Sequence, residues 1–440
     1  MDTQSTKPQA LRKIAITYSM LGLGDILVWN VVNNWLTYFY LSENNLMPAG
    51  LFSVLMFLNG FVGVAIALPI GYWSDHIHSR WGRRLPFLFV TALPRLLLFV
   101  LLWTPPVKTE SLRNVLYLGV IALAHEIIAG LHQIPNKALL PEITRTDQER
   151  VRVSAWAEAF IMLGVAIGSL AGMLIERLGY VTTAAIYAAI CLLLFYLPLL
   201  VLREPPHTRP AQSAQGSFRQ SLSHTFANRA FRSMTAVHAL IASSVTLVQI
   251  MFPFIVTRIL GLTVGDTTYF YLAGLLASLV CYPLVTWLAE RLGKQRVFAG
   301  SLIGATVVLL GLLLLGDWLP GSLLLPGIVW VVLEAMTVSG ATVLQAAFIA
   351  EIVSQDAIQM GQHREGTYYA TLDFVDRIVY ALAGALPAVL LLVGRATADP
   401  QGVRGIRMAG VLGSLLTLGA LLIFRKYILG LKLSPVEQGA

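Results

Sequence analysis

Twelve apolar runs, each of about 17 residues or more, recur along this chain of 440 residues. A run of that length is long enough to cross the hydrocarbon layer of a bilayer. Its backbone polar groups would find no water there, so each run has to satisfy them internally, as a helix. The first six are roughly Ile14–Tyr40, Gly50–Trp73, Leu85–Trp103, Val115–Leu139, Val153–Ile175 and Tyr180–Leu202. The second six are roughly Ser233–Val256, Tyr269–Ala289, Phe298–Trp318, Pro326–Ile352, Tyr368–Val393 and Met408–Phe424. Between them lies a polar stretch with several Pro, Gly, Ser and Arg residues. The expectation is an all-α membrane protein of twelve transmembrane helices in two six-helix bundles, residues 1–202 and 230–440, joined by a cytoplasmic linker over 203–229.

Composition excludes the main competitors. Hydrophobic residues make up 56% of the chain and charged residues 12%, about half the charge of an ordinary soluble domain. That is incompatible with a soluble enzyme, a disordered protein or a nucleic-acid binder with a basic face. The net charge of +8 fits loop residues that face anionic lipid and set topology. With both termini on one side, that side carries about three times as many Lys and Arg as the other, which predicts cytoplasmic termini. No cleavable signal peptide is expected, and a multi-pass protein of the plasma (bacterial inner) membrane is. Cys191 and Cys281 lie inside apolar runs and read as free packing thiols. No phosphate-binding Gly-rich loop, metal-spaced Cys/His set or Ser/His/Asp arrangement is visible. Neither an enzyme nor a cofactor is expected, and ATP-driven transport has no motif here.

Charges inside the runs carry most of the functional information. A charge at mid-bilayer costs about 2.5–3.5 kcal/mol, so it pairs with another group or lines a cavity. Asp25, Arg95, Glu126, Lys137, Glu158, Glu334, Asp373, Asp376 and Arg377 are all in or near such positions. In the first run, Asp25, Trp29 and Asn33 share a helical face, with Asn30, Asn34 and Thr37 on the adjacent stripe. In the fourth, Glu126, Gln133 and Lys137 form one face and His125, His132 and Asn136 the next, with Pro135 interrupting the ladder. The fifth adds Trp156 and Glu158. The eleventh carries Tyr369, Asp373, Asp376 and Tyr380 at steps of four, three and four, with Arg377 beside them. Each set has a bland reading as well. Asp25 would pair structurally with Lys137 or Arg377, Lys137 with Glu158, and the eleventh-run charges with one another. His238 reads as a core histidine, and Arg95 and Glu334 as structural partners.

An internal repeat supports the two-bundle plan. After the second run comes Gly71–Pro86, with Asp75 and then SRWGRRLP over 79–86. After the eighth comes Trp287–Arg296, with Glu290, Arg291, Gly293, Lys294 and Arg296. Each copy has a carboxylate at a helix end, then Arg, Gly and basic residues, as duplication of a six-helix unit would leave.

The Gly71–Pro86 stretch resembles the loop between helices 2 and 3 of the major facilitator superfamily. The full set is similar to its glycoside–pentoside–hexuronide branch, the melibiose-carrier type. That set includes Gly22–Asp25 and Leu36–Tyr40, Ile134–Thr144 (IPNKALLPEIT) followed by Glu149 and Arg150, Gly361–Tyr369 (GQHREGTYY), and Gly402–Arg407. The resemblance implies the major facilitator fold and secondary transport of a small polar solute by alternating access, with sugars and glycosides as the default class. It implies a gate at Asp75, Arg80, Gly82, Arg83 and Arg84. It also implies a solute site drawn from Asp25, Trp29, Asn33, Gln133, Asn136, Lys137, Trp156, Glu158, Tyr369, Asp373 and Arg377, and a monomeric protein whose partners are the solute and the lipid bilayer.

The sequence departs from that pattern in two ways. Melibiose-type members carry Asp at the position of Gln133, an aromatic residue at Lys137 and Arg at Glu158, so either a Lys137–Glu158 pair or an anionic solute held by Lys137 is expected. The sodium-coupled members carry two Asp residues in the second run, whereas here no carboxylate lies between Glu43 and Asp75. A family-type Na+ site is therefore not expected. Coupling would use protons at Asp25, Glu158 or a histidine, or be absent. Two alternatives stay open: an anionic or lysolipid-like solute, and a non-transporting membrane assembly factor of the bacteriochlorophyll-delivery type.

Overall fold

A computed structural model describes residues 8–42, 45–76, 82–144, 146–203, 227–316, 321–360, 365–396 and 402–427. The described residues form helices joined by short loops. In chain order these are α1 (Pro8–Leu41), α2 (Ala49–His76), α3 (Leu85–Leu101), α4 (Leu112–Ile143), α5 (Asp147–Ser169), α6 (Ala171–Leu178) and α7 (Tyr180–Leu199). They continue with α8 (Arg229–Phe254), α9 (Thr267–Leu292), α10 (Lys294–Leu310), α11 (Leu324–Met360), α12 (Glu365–Ala396) and α13 (Val403–Tyr427). Eleven stretches are long and apolar enough to span a bilayer, and α3 is a shorter apolar helix. The chain is thus a multi-pass membrane protein. α5 and α6 make a single span interrupted at Leu170.

Helix ends follow local chemistry. Ser111 and Thr146 cap α4 and α5 by accepting the backbone N–H of Arg113 and Glu149 at 3.2 Å each. Pro253 is followed by a π-helical turn at Ile255–Ile259, where the Thr257 hydroxyl donates to the Pro253 carbonyl at 2.8 Å. Gly82 and Gly293 sit at φ 108° and 89°, left-handed turns that place a basic residue directly after each loop glycine.

The chain divides into two compact units. One contains Met1–Ser213, Phe252–Thr257 and Thr263–Tyr271; the other contains Ala214–Met251, Arg258–Leu262 and Leu272–Ala440. In the first unit α1 packs chiefly on α5, and α4 on α2 and α3. A glycine ladder explains the α1–α5 contact. Gly164 faces Ile26, and a Cβ on Gly168 would lie 2.9 Å from the Asn30 Oδ1. Gly172, at the start of α6, continues the ladder beside Trp35. Small residues at every fourth position let two backbones approach in lipid, where no hydrophobic force drives helices together. In the second unit Phe231, Phe298, Phe348, Tyr368 and Phe424 form a buried aromatic core between α8, α10, α11, α12 and α13.

The ladder makes α1 sensitive to one methyl group. Gly168→Ala should cost about 1–3 kcal/mol by overpacking and lower the melting temperature of the detergent-solubilised protein.

Candidate functional site

The glycine ladder fixes which side of α1 faces where. Asn30 and Asn34 are buried, and the Asn34 amide donates to the Asn30 Oδ1 at 3.1 Å. The stripe of Tyr18, Gly22, Asp25, Trp29 and Asn33 stays half-buried. The expected polar face of the first run is therefore a continuous, partly open stripe.

Asp25 is the centre of a polar cluster contributed by three helices. The Arg95 guanidinium of α3 donates to its Oδ1 through Nη1. The Asn136 amide of α4 donates to its Oδ2 at 2.9 Å. Arg95 is 1% exposed, whereas the Asp25 side chain keeps 17% of its surface accessible. The guanidinium also lies 5.3 Å from the centre of the Phe195 ring of α7, and the His132 ring packs 4.5 Å from the same phenylalanine. The Thr91 hydroxyl spends its proton on the Phe87 carbonyl at 2.6 Å, so its oxygen accepts from the His132 Nδ1 at 3.0 Å. That arrangement leaves the His132 Nε2 as an acceptor. Together with the Arg95 Nε and the Asn136 Oδ1, it is buried without a partner, a group of polar atoms matched to ordered water or a ligand.

The partner of Asp25 is thus Arg95, where the bland structural reading had Lys137 or Arg377. The sequence reading left Arg95 out of the candidate site. Its signal was a lone cation after Pro94 in an apolar helix of 17 residues. On α4 the His132 and Asn136 face meets Asp25. Gln133 is half-buried, Lys137 is exposed, and Trp156 and Glu158 on α5 are also exposed. Glu126 places its carboxyl against Gly63 of α2, where any Cβ would collide with it.

The loop motif is tied to α4. Arg83 and Arg84 donate to the Oε1 of Glu142 at 3.0 and 3.2 Å, and Arg84 also donates to the Ser74 hydroxyl. Arg84, Glu142 and Ser74 are all largely buried. Gly82 supplies the turn that aims these arginines. Arg80 and the side chain of Asp75 lie outside the described residues. In the second unit Lys294 donates to Glu351 of α11, the corresponding loop-to-helix bond.

On α12, Arg377 donates to Asp373 at 3.1 Å, one turn earlier on the same helix. Tyr369 is exposed. His238 of α8, read from sequence as a core residue, bonds Asp376 at 2.6 Å and Gln345 of α11.

Membrane-spanning helices with charged groups held among them are an arrangement suited to moving a polar solute across a bilayer. The family model described as MFS/sugar transport protein matches residues 17–430. The chain belongs to that family of the major facilitator superfamily, within the glycoside–pentoside–hexuronide branch, and is a secondary transporter. It is 25% identical over 403 residues to the uncharacterized symporter YnaJ of Bacillus subtilis, covering 86% of this chain and 83% of that protein. The isoprimeverose transporter of Lactiplantibacillus pentosus is 23% identical over 405 residues, with 86% and 79% covered. The glucuronide carrier protein homolog of Escherichia coli is 23% identical over 345 residues, with 76% and 74% covered. Among solved structures, a bacterial homolog of the human lysosomal transporter Spinster, inward-facing and occupied, superposes with a TM-score of 0.68 at 13% identity, covering 96% of this chain and 98% of that one. The nucleoside transporter NupG gives 0.64 at 14% identity, with 94% and 99% covered.

Removing one member of the Asp25–Arg95 pair should cost far more than removing both charges. Arg95→Gln leaves a carboxylate without its cation, a loss of about 3–5 kcal/mol. The double variant Asp25→Asn/Arg95→Gln should recover most of the lost melting temperature. A double variant as unstable as Arg95→Gln alone would refute the pairing.

Proposed function

We propose that the transported solute is a small sugar or glycoside, bound in part by Asp25 and moved by alternating access. The observation that carries this reading is the geometry of Asp25. Arg95 and Asn136 each bond one carboxylate oxygen, and the accessible edge lies on the half-buried stripe with Trp29 and Asn33. A carboxylate held from behind is a ready acceptor for hydroxyl groups, and an indole on the same stripe offers an apolar face to a sugar ring. Asn33, Gln133, Asn136, Lys137, Trp156 and Glu158 in the first unit, and Tyr369, Asp373 and Arg377 in the second, are the further candidate contacts. The name of the isoprimeverose relative supports the same solute class, and that of the glucuronide relative supports an anionic sugar. The span α2 has no carboxylate before Asp75, so transport is proposed to run without a family-type Na+ site, on a proton gradient or on the solute gradient alone, with Asp25 and Glu158 as the proton-handling candidates. Asp75, Arg80, Gly82, Arg83 and Arg84 are proposed as the gate, the protein as a monomer of the plasma membrane, and both termini as cytoplasmic. Lys137, exposed on α4, favours the second reading, an anionic solute.

Uptake into proteoliposomes separates these readings. Saturable uptake of isoprimeverose or maltose is expected, unaffected by an imposed Na+ gradient. Asp25→Asn removes a hydrogen bond to a charged acceptor, worth about 1.5–3 kcal/mol, so KM should rise about tenfold to a hundredfold. Uptake confined to methyl glucuronide or lysophosphatidylcholine and lost in Lys137→Ala would establish the anionic or lysolipid-like reading instead. Absence of flux for every solute, with a co-purifying pigment or protein, would mark an assembly factor.

A further inference from the structure

The second unit contains a polar cluster centred on His238. His238 of α8 stands between Asp376 of α12 and Gln345 of α11. The Gln345 amide donates to the Nδ1, so the Nε2 carries the proton and donates to the Asp376 Oδ1 at 2.6 Å. Three helices are thereby linked through one imidazole, and the orientation of the Asp376 carboxylate is set.

The parts match those around Asp25. There a carboxylate is held by a basic side chain and a buried carboxamide, Arg95 and Asn136. Here His238 holds the Asp376 carboxylate, and the buried carboxamide, Gln345, bonds the imidazole and not the carboxylate. The match extends to sequence position. Asn136 lies six residues before Glu142, the acceptor of the loop arginines, and Gln345 lies six residues before Glu351, the acceptor of the loop Lys294. In each unit the carboxamide and the loop-binding Glu therefore stand about 9 Å apart along one helix. In both units a buried carboxamide of a polar cluster stands at the same spacing from the loop-binding Glu of its helix.

The exposure of the carboxylates argues against a purely structural role. The Asp376 and Asp373 side chains keep 35% and 47% of their surface accessible. Carboxylates open to that degree on a membrane-spanning helix have to meet water or solute, because lipid would not tolerate them. The Gln345 Oε1 is buried without a hydrogen-bond partner, and Gln345 itself is 5% exposed. A buried acceptor of this kind calls for a donor. Two carboxylates against the single cation of Arg377 suit neutral, hydroxyl-rich molecules better than anions.

We infer that His238, Asp376 and Gln345 form a solute-contacting site of the second unit, in which the Asp376 carboxylate accepts hydroxyl groups of a neutral polyhydroxylated solute. His238 acts there as a positioning residue. The inference rests on the sugar reading above for its solute class, but its geometry is independent of Asp25.

The test uses thermal-shift titrations of the full-length protein with isoprimeverose, methyl glucuronide and maltose, together with diethyl pyrocarbonate labelling read by mass spectrometry. One of the neutral sugars should stabilise the wild type by mass action. Asp376→Asn and His238→Gln should each weaken its apparent affinity about tenfold. A merely structural cluster would lower the ligand-free melting temperature and leave affinity within about twofold of wild type, which overturns the proposal. If Asp376→Asn does not fold, Asp376→Glu is read by the same criterion. If none of the three sugars binds, the sugar reading falls and labelling decides the site separately. Carbethoxylation of His238 at least about tenfold faster than that of the fully buried His132 supports a solute-accessible cluster, and equal slow rates overturn it.

Discussion

A charge inside a hydrocarbon layer has to be paired or hydrated, and in the first unit that demand converges on Asp25 and Arg95. The pair connects α1 to α3, Asn136 adds α4, and Phe195 of α7 covers the guanidinium. The glycine ladder of α5 then holds α1 in the rotation that presents Asp25 to those partners. Neither element is sufficient alone. Without the ladder the half-buried stripe of α1 would have no fixed direction, and without Arg95 the carboxylate would be an uncompensated charge.

The same physical scheme is used twice along the chain. In each unit a left-handed glycine in a loop, Gly82 or Gly293, is followed by basic residues that reach a Glu near the end of a long helix. Six residues before that Glu, a buried carboxamide takes part in a polar cluster with the first helix of the unit. The positions correspond while the chemistry differs: two arginines against one lysine, and a guanidinium against an imidazole. The loop bond is buried in the first unit and partly exposed in the second, so it contributes more to rigidity in the first.

Much of this was legible in the sequence because the bilayer leaves so few options. Apolar runs locate the helices, and the 3.6-residue period correctly placed Asp25, Trp29 and Asn33 on one stripe and His132 with Asn136 on another. What periodicity cannot supply is the partner across helices. The bland structural reading of Asp25 had Lys137 or Arg377 as its partner, yet it meets Arg95, because the rotation of α1 is decided by glycines on α5 that carry no charge signal. His238 looked like an isolated core histidine because its two partners lie 107 and 138 residues away. Glu142 was visible only as part of a motif, since its role depends on the turn at Gly82.

The location of these pairs also constrains how solute can be recognised. Asp25 finds its cation on α3, Arg377 its carboxylate on the same helix, and His238 its partners on α11 and α12. Each of these interior charges has a partner within its own unit. In the proposed site, a solute at Asp25 leaves the Asp25–Arg95 pair in place. It has to displace water from the accessible edge of a carboxylate whose other contacts are already made. Such a site gains affinity through preorganisation, because the cost of orienting the acceptor was met on folding.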